Sequence, residues 1–328
     1  MAAFFETIPG ALILLVIGFV FLIKGADFFV EGASAVAKKL HVPALVIGMT
    51  IVAMGTSLPE LSVSVTASMA GSNQLAIGNV VGSNIFNLMV VLGSCALFSV
   101  LEVSDDTIKK DFPFSVACVI ALIAMGIIGN SVGHLDGAIL LVAFIIFLFS
   151  MLRAAKKSRK EAAIAEKDVE EEIHDIPVWL CIVYIIGGAV AIKFGGDWVV
   201  DSCTTLALKF GMSETLVGLT IVALGTSLPE LVTSIVAARK NELDMAIGNV
   251  VGSNIFNVLL ILGTAAAISP MNYLTVNAID ATILVVFSTI VWLICVKKKR
   301  LERPHGVLML FMYVAYMVYI IVRDGGLA

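Results

Sequence analysis

Charge is what this chain lacks. Asp, Glu, Lys and Arg make up only 14% of its 328 residues, against 59% hydrophobic residues and a mean hydropathy of +1.04. A soluble protein of this length could not hide so much apolar surface, so most of the chain must face lipid. The five cysteines, Cys95, Cys118, Cys181, Cys203 and Cys295, lie in apolar segments with no C-x-x-C spacing. That excludes a disulfide framework and a thiolate metal site, leaving them as small hydrophobic fillers. No basic patch suggests nucleic acid, no protein partner is evident, and the net charge of -4 carries little information because the charges sit in loops. The first apolar run is preceded by Glu6 rather than Lys or Arg and continues past Phe29, so it reads as a first span and not a signal peptide.

What is present is a repeat. Residues 44 to 93 align without a gap on 214 to 263, with 28 of 50 positions identical, including all of GNVVGSNIFN. Apolar runs of spanning length occur at roughly 8–36, 43–70, 75–99, 112–129 and 133–152. A second five follow at roughly 177–209, 213–238, 244–268, 274–296 and 305–322. The expected fold is an all-α polytopic membrane protein of ten transmembrane helices. Residues 1–152 form a first five-helix repeat with its motif at 43–94, 153–176 a cytoplasmic connector, and 177–328 a second five-helix repeat with its motif at 213–264. With both termini outside, 17 of the 21 Lys and Arg fall on the cytoplasmic side, leaving Lys24, Lys193, Lys209 and Arg323. Five spans per copy make the second copy enter from the opposite face. Inverted repeats of this kind are characteristic of secondary transporters, with sites near the midplane.

The motif carries the chemistry. Pro59 has no N–H for the Gly55 carbonyl, and Pro229 none for Gly225, so both helices should break there and free carbonyls around Ala53 and Ala223. Thr56, Ser57 and Glu60 project to one side just past the break, as do Thr226, Ser227 and Glu230. Intramembrane carboxylates are costly and are kept mainly for function. The third and eighth spans add Ser83 with Asn87 and Ser253 with Asn257, each pair at i, i+4, while Gly78, Gly82, Gly248 and Gly252 allow close backbone approach. Asn79, Asn84, Asn249 and Asn254 are read as packing or supporting residues on other helical faces. The pocket is all oxygen, without His or Cys, and so suits a hard cation such as Ca²⁺ or Na⁺.

The doubled GTSLPEL and GNVVGSNIFN resemble the alpha-repeats of the calcium/cation antiporter superfamily, in its prokaryotic sodium/calcium exchanger branch. The resemblance implies a transporter rather than an enzyme, in a prokaryotic cytoplasmic (inner) membrane, with no cofactor and with Ca²⁺ and Na⁺ as substrates. It further implies electrogenic exchange of about three Na⁺ for one Ca²⁺ by alternating access, the first and sixth helices sliding across a fixed core. Carried over residue by residue, the ion ligands fall on Ala53 (carbonyl), Thr56, Ser57, Glu60, Ser83 and Asn87, and on Ala223 (carbonyl), Thr226, Ser227, Glu230, Ser253 and Asn257. Some relatives have Asp in place of Asn257, which sets potassium-dependent exchange behind sodium/calcium exchange. Proton-coupled exchange is the nearer alternative, since both glutamates could carry protons, and a cation channel the more distant one. The pairs Asp27 with Glu31 and Asp197 with Asp201 also repeat at an offset of 170, but inversion keeps the aspartates too far apart for a protease dyad.

Overall fold

The computed structural model describes residues 7–165, 176–212 and 223–323. The acidic half of the expected connector and the opening of the expected seventh span, 213–222, lie outside the described residues. Helix α1 spans Ile8–Leu40; the Thr7 hydroxyl accepts from the Gly10 amide at 3.2 Å, and Pro9 sits in the first turn, where its missing N–H costs nothing. Lys38 and Lys39 occupy the last turn, at the negative end of the helix dipole, and His41 closes it in the left-handed conformation at φ 52°.

The next expected span is bent. Ala44–Thr56 (α2) and Leu58–Met69 (α3) meet at 50°. Pro59 lies in the first turn of α3, the one helical position where proline is tolerated, and Ser57 at the break has φ -84° and ψ 8°. The second copy repeats this with Ala223–Gly225 (α8) and Leu228–Arg239 (α9), where Ser227 has φ -93° and ψ 5°. The proline breaks expected from the sequence are present in both copies.

The remaining long helices are α4 (Asn73–Phe98), α5 (Thr107–Gly129), α6 (His134–Ala165), α7 (Val178–Lys209), α10 (Leu243–Ile268), α11 (Thr275–Lys298) and α12 (Arg303–Arg323). Among the described residues, eight helices are long and apolar enough to cross a membrane, or nine counting the bent pair as one span. Helices α4 and α10 form the centre: 78% of their most apolar stretch is buried, against 28% in α1 and 22% in α7. Those two peripheral helices pack on each other through glycine. A Cβ at Gly25 would meet the Ile192 amide nitrogen at 2.8 Å, and one at Gly18 the Gly195 carbonyl at 3.0 Å, while Gly32 abuts the Cys181 carbonyl. Rising α1 numbers thus meet falling α7 numbers, so the pair is antiparallel, and the absent side chains let the two backbones close in lipid. The same device joins α2 to α10, where a Cβ on Gly252 would lie 2.7 Å from Met49 Cα.

Two short antiparallel pairings tie the helix ends together. Strand β1 (Leu101–Glu102) pairs with β4 (Arg300–Leu301), and β2 (Ser131–Val132) with β3 (Met271–Asn272). Since α5 runs from the β1 end to the β2 end, and α10 leads into β3, the C-termini of α4 and α10 lie at opposite ends of the bundle.

Candidate cation site

The breaks at Ser57 and Ser227 face each other across the centre. The Ser57 hydroxyl donates to Glu230 Oε1 at 2.9 Å, and the Ser227 hydroxyl donates to Glu60 Oε1 at 3.0 Å. Each carboxylate is therefore held by the other copy's serine. The same reciprocity continues one residue earlier: Thr56 Oγ1 donates to Asn249 Oδ1 at 3.1 Å and Thr226 Oγ1 to Asn79 Oδ1 at 3.5 Å. Asn79 in turn donates to Ser64 Oγ at 3.0 Å, and Asn249 to Ser234 Oγ at 2.9 Å. Asn84 and Asn254 each donate to the other's backbone carbonyl, at 3.1 and 3.3 Å.

Asn79 and Asn249 thus do more than pack. From the sequence they are read as lying on other faces, yet helical periodicity places Asn79, Ser83 and Asn87 at i, i+4 and i+8, which is one slowly drifting stripe on α4. That spacing is the available signal. Two further features carry none. The helix widens into a π-turn beginning at Asn87 (Asn87–Val91) and again at Asn257 (Asn257–Leu262), and such turns change the angular phase of the residues beyond them. The Ala53 carbonyl, expected to be freed by the break, instead accepts from the Ser57 amide at 3.0 Å and from Thr56 Oγ1 at 3.3 Å. Pro59 removes the donor for Gly55, two residues on, so the Ala53 turn keeps its hydrogen bond. Ala223 heads α8.

Glu60 and Glu230 are fully buried, as are Thr56, Ser227, Asn87, Ser253 and Asn257. Ser57 and Ser83 are buried too, whereas Thr226 is half-buried. After the bonds above, one oxygen of each carboxylate remains without a hydrogen-bond partner, as do Ser83 Oγ, Ser253 Oγ, Asn87 Oδ1 and Asn257 Oδ1. Buried polar atoms rarely stay unpaired, because each costs about 1–3 kcal/mol in lost solvation. Six unpaired oxygens on residues drawn from both copies, two of them on carboxylates, form a set that a hard cation would satisfy and that an apolar contact would not.

Asp27 and Asp197 do not come together. Gly188 lies level with Asp27, between Gly25 and Phe29, so the nine residues from there to Asp197 put the two aspartates roughly 14 Å apart along the helix axes. Asp27 pairs with Lys240 and Asp197 with Lys193.

The comparisons with known proteins point the same way. A family model described as sodium/calcium exchanger protein matches residues 10–153 and 180–322. The chain is 30% identical over 339 residues to the sodium/calcium exchanger MaX1 of Methanosarcina acetivorans, covering 93% of this chain and 97% of that one. It is 33% identical over 294 residues to the inner membrane protein YrbG of Escherichia coli, covering 85% and 88%. A solved structure of the sodium-calcium exchanger NCX_Mj soaked with 10 mM Na⁺ superposes with a TM-score of 0.82 at 30% identity, covering 95% of this chain and 99% of that one.

Proposed function

The chain belongs to the sodium/calcium exchanger protein family, and from that premise we propose that it exchanges about three Na⁺ for one Ca²⁺ per cycle at one all-oxygen site. As a member of that family it is an integral membrane cation antiporter, not an enzyme. The ions are its substrates. The ligands are the Ala53 and Ala223 carbonyls, Thr56, Ser57, Glu60, Ser83 and Asn87, and Thr226, Ser227, Glu230, Ser253 and Asn257.

The observation that carries this reading is the reciprocal serine–glutamate pairing with its unpaired oxygens. Ser57 and Ser227 hold one oxygen of each carboxylate, which fixes the other oxygen for an ion and limits the change the site must make when the ion leaves. Asn79 and Asn249 position the threonines.

The architecture follows from the same symmetry. Residues 1–152 and 177–328 are two inverted five-helix repeats joined by the connector 153–176, making ten spans with 213–238 as the seventh. Support comes from the antiparallel α1–α7 pair and from α4 and α10 ending at opposite ends of α5. Both termini lie outside a prokaryotic inner membrane, so the end where α1 stops and α7 starts is cytoplasmic. Alternating access then consists of α1 and α7, joined to each other along their glycine seam, sliding together as one unit over the buried centre.

Charge gives the test. With both glutamates ionised the site carries two negative charges; one Ca²⁺ neutralises it, whereas three Na⁺ leave it at plus one. A cycle therefore moves one net charge with sodium, worth about 2.3 kcal/mol per 100 mV. Na⁺-driven Ca²⁺ uptake into liposomes should run faster with a valinomycin-clamped potential positive inside than with the opposite clamp. Uptake indifferent to the clamp would mean electroneutral exchange and overturn the stoichiometry.

A further inference from the structure

Where α1 ends, one face of that helix grips the turn between α9 and α10. Asp27, Glu31, Ser34 and Lys38 fall at i, i+4, i+7 and i+11, which places them in one stripe. The Lys240 ammonium lies 2.7 Å from Asp27 Oδ1 and 3.3 Å from Glu31 Oε2, and it donates to the Asp27 carbonyl at 3.1 Å. Two residues on, the Glu242 carboxylate accepts from the Ser34 hydroxyl and faces Lys38 Nζ at 3.6 Å. The turn itself is fixed, with Asn241 in the left-handed region at φ 61° and the Glu242 amide donating to the Ala237 carbonyl at 2.9 Å.

Among the described residues, the other end of the bundle has no such device. An offset of 170 carries Lys240, Asn241 and Glu242 onto Ala70, Gly71 and Ser72, and the α1 stripe onto Asp197, Asp201, Thr204 and Leu208 of α7. Two of those turn residues have no side chain able to reach across. Asp197 is paired with Lys193 on its own helix at 2.6 Å, and Asp201 has no ion-pair partner among the described residues. The acidic pairs have been kept in both copies, but only one of them meets a cation from the facing turn.

We propose that Lys240 is a charge latch that holds α1 against the α9–α10 turn and keeps the route to the site closed at that end. The inference rests on the alternating-access reading. Sliding of α1 separates Lys240 from Asp27 and Glu31, so the latch adds to the free energy of the state open at the α1 end and not to that of the state open at the opposite end. A single exposed ion pair does little. Here one ammonium, only 32% exposed, takes three oxygens of a neighbouring helix, and a second contact lies two residues away.

The test is the apparent affinity for Ca²⁺ at each face, measured by Na⁺-dependent flux in right-side-out and inside-out vesicles. None of the variants touches the ion ligands. Lys240→Ala should tighten the apparent affinity at the α1-end face about threefold to fivefold and weaken it at the opposite face, because releasing the latch raises the population open at the α1 end. Lys240→Arg should leave both unchanged. Asp27→Asn with Glu31→Gln, made on the other helix, should reproduce the shift, and adding Lys240→Ala to that pair should change nothing more, as expected for partners in one contact. Wild-type affinities at both faces in either set of variants, with exchange intact, would overturn the latch alone. Failure of the unmodified protein to exchange Na⁺ for Ca²⁺ would remove the reading beneath it and the latch with it.

Discussion

The two copies of the motif bond to one another at matching positions, and the few places where they differ are informative. Ser57 meets Glu230 as Ser227 meets Glu60, and Thr56 meets Asn249 as Thr226 meets Asn79. Neither copy could build this network alone, because each carboxylate takes its side-chain hydroxyl donor from the other. The symmetry fails at the asparagines: Asn257 donates to Asn84 Oδ1 at 2.9 Å, while the side chain of Asn87 has no hydrogen-bond partner. It fails again at the periphery, where Lys240 faces α1 and Ala70 is its counterpart. The matched serine–glutamate and threonine–asparagine pairs point to a carboxylate pair shared equally by the copies, with the differences carried by Asn87 and Asn257 and by the periphery.

The comparison breaks most readily at the carboxylates. If the copies contribute equally, Glu60→Gln and Glu230→Gln should each lower Ca²⁺ exchange by roughly 100-fold, since losing a charged oxygen costs about 3 kcal/mol of cation binding. The amide keeps the size of the side chain and should leave a folded protein. ⁴⁵Ca²⁺ uptake into Na⁺-loaded proteoliposomes measures both. A large loss in one variant with near-normal flux in the other would show that the reciprocal geometry does not translate into shared binding.

A smaller effect sharpens the asymmetry. Asn257→Asp removes the donor to Asn84 and turns a carboxylate toward that oxygen, so it should destabilise the protein by about 1–3 kcal/mol. Asn87→Asp loses no hydrogen bond and bears only the cost of the added buried charge, so it should be the less destabilised of the two. Both add a third negative charge to the site and should change the voltage response of exchange. Equal unfolding midpoints for the two variants in detergent would mean that the Asn257–Asn84 bond contributes nothing.

How much of the molecule is legible in the sequence depends on which features leave a local trace. Pro59 and Pro229 break their helices as any reader of a membrane span would expect, and Glu60 and Glu230 stand out because carboxylates are rare in lipid. The cross-pairing of serine with glutamate leaves no trace, since it joins residues separated by 167 and 173 positions. Nor do the π-turns at Asn87 and Asn257, which have no compositional signature. Helix ends differ from expectation where apolarity stops before helicity does. Helix α5 starts at Thr107 rather than 112, with Asp106 and Lys110 paired at i, i+4, and α6 continues to Ala165 rather than 152 through a run of Ala, Lys and Arg, which are good helix formers.

The smallest effect concerns the two strand pairings that close the ends of the bundle. Beside the β1–β4 pairing, Asp105 sits between Lys299 at 2.8 Å and Lys109 at 3.5 Å, whereas at the β2–β3 end the ion-paired acid is Asp280, held by Arg323 at 2.8 Å and far less exposed than Asp105. The hydrogen bond from Lys299, then the field of Lys109, holds the Asp105 carboxyl below the usual carboxylate range. A lowered folded-state pKa means that the contribution of Asp105 is complete above the unfolded value of about 3.9 and is lost only as pH falls through the folded one. Between pH 7 and pH 5 the pair should therefore impose no pH dependence on stability, and below about pH 4 its contribution should decline as pH falls through the lowered folded value. Because the carboxylate is fully exposed, solvent screens the pair, and Asp105→Asn should lower the melting temperature by no more than about 2 °C at pH 7. The difference between Asp105→Asn and the unmodified protein should shrink toward the acid end of the range. A gap that does not shrink as pH falls below about 4, or one that grows between pH 7 and pH 5, would assign the effect to packing of the β1–β4 end and not to the ion pair.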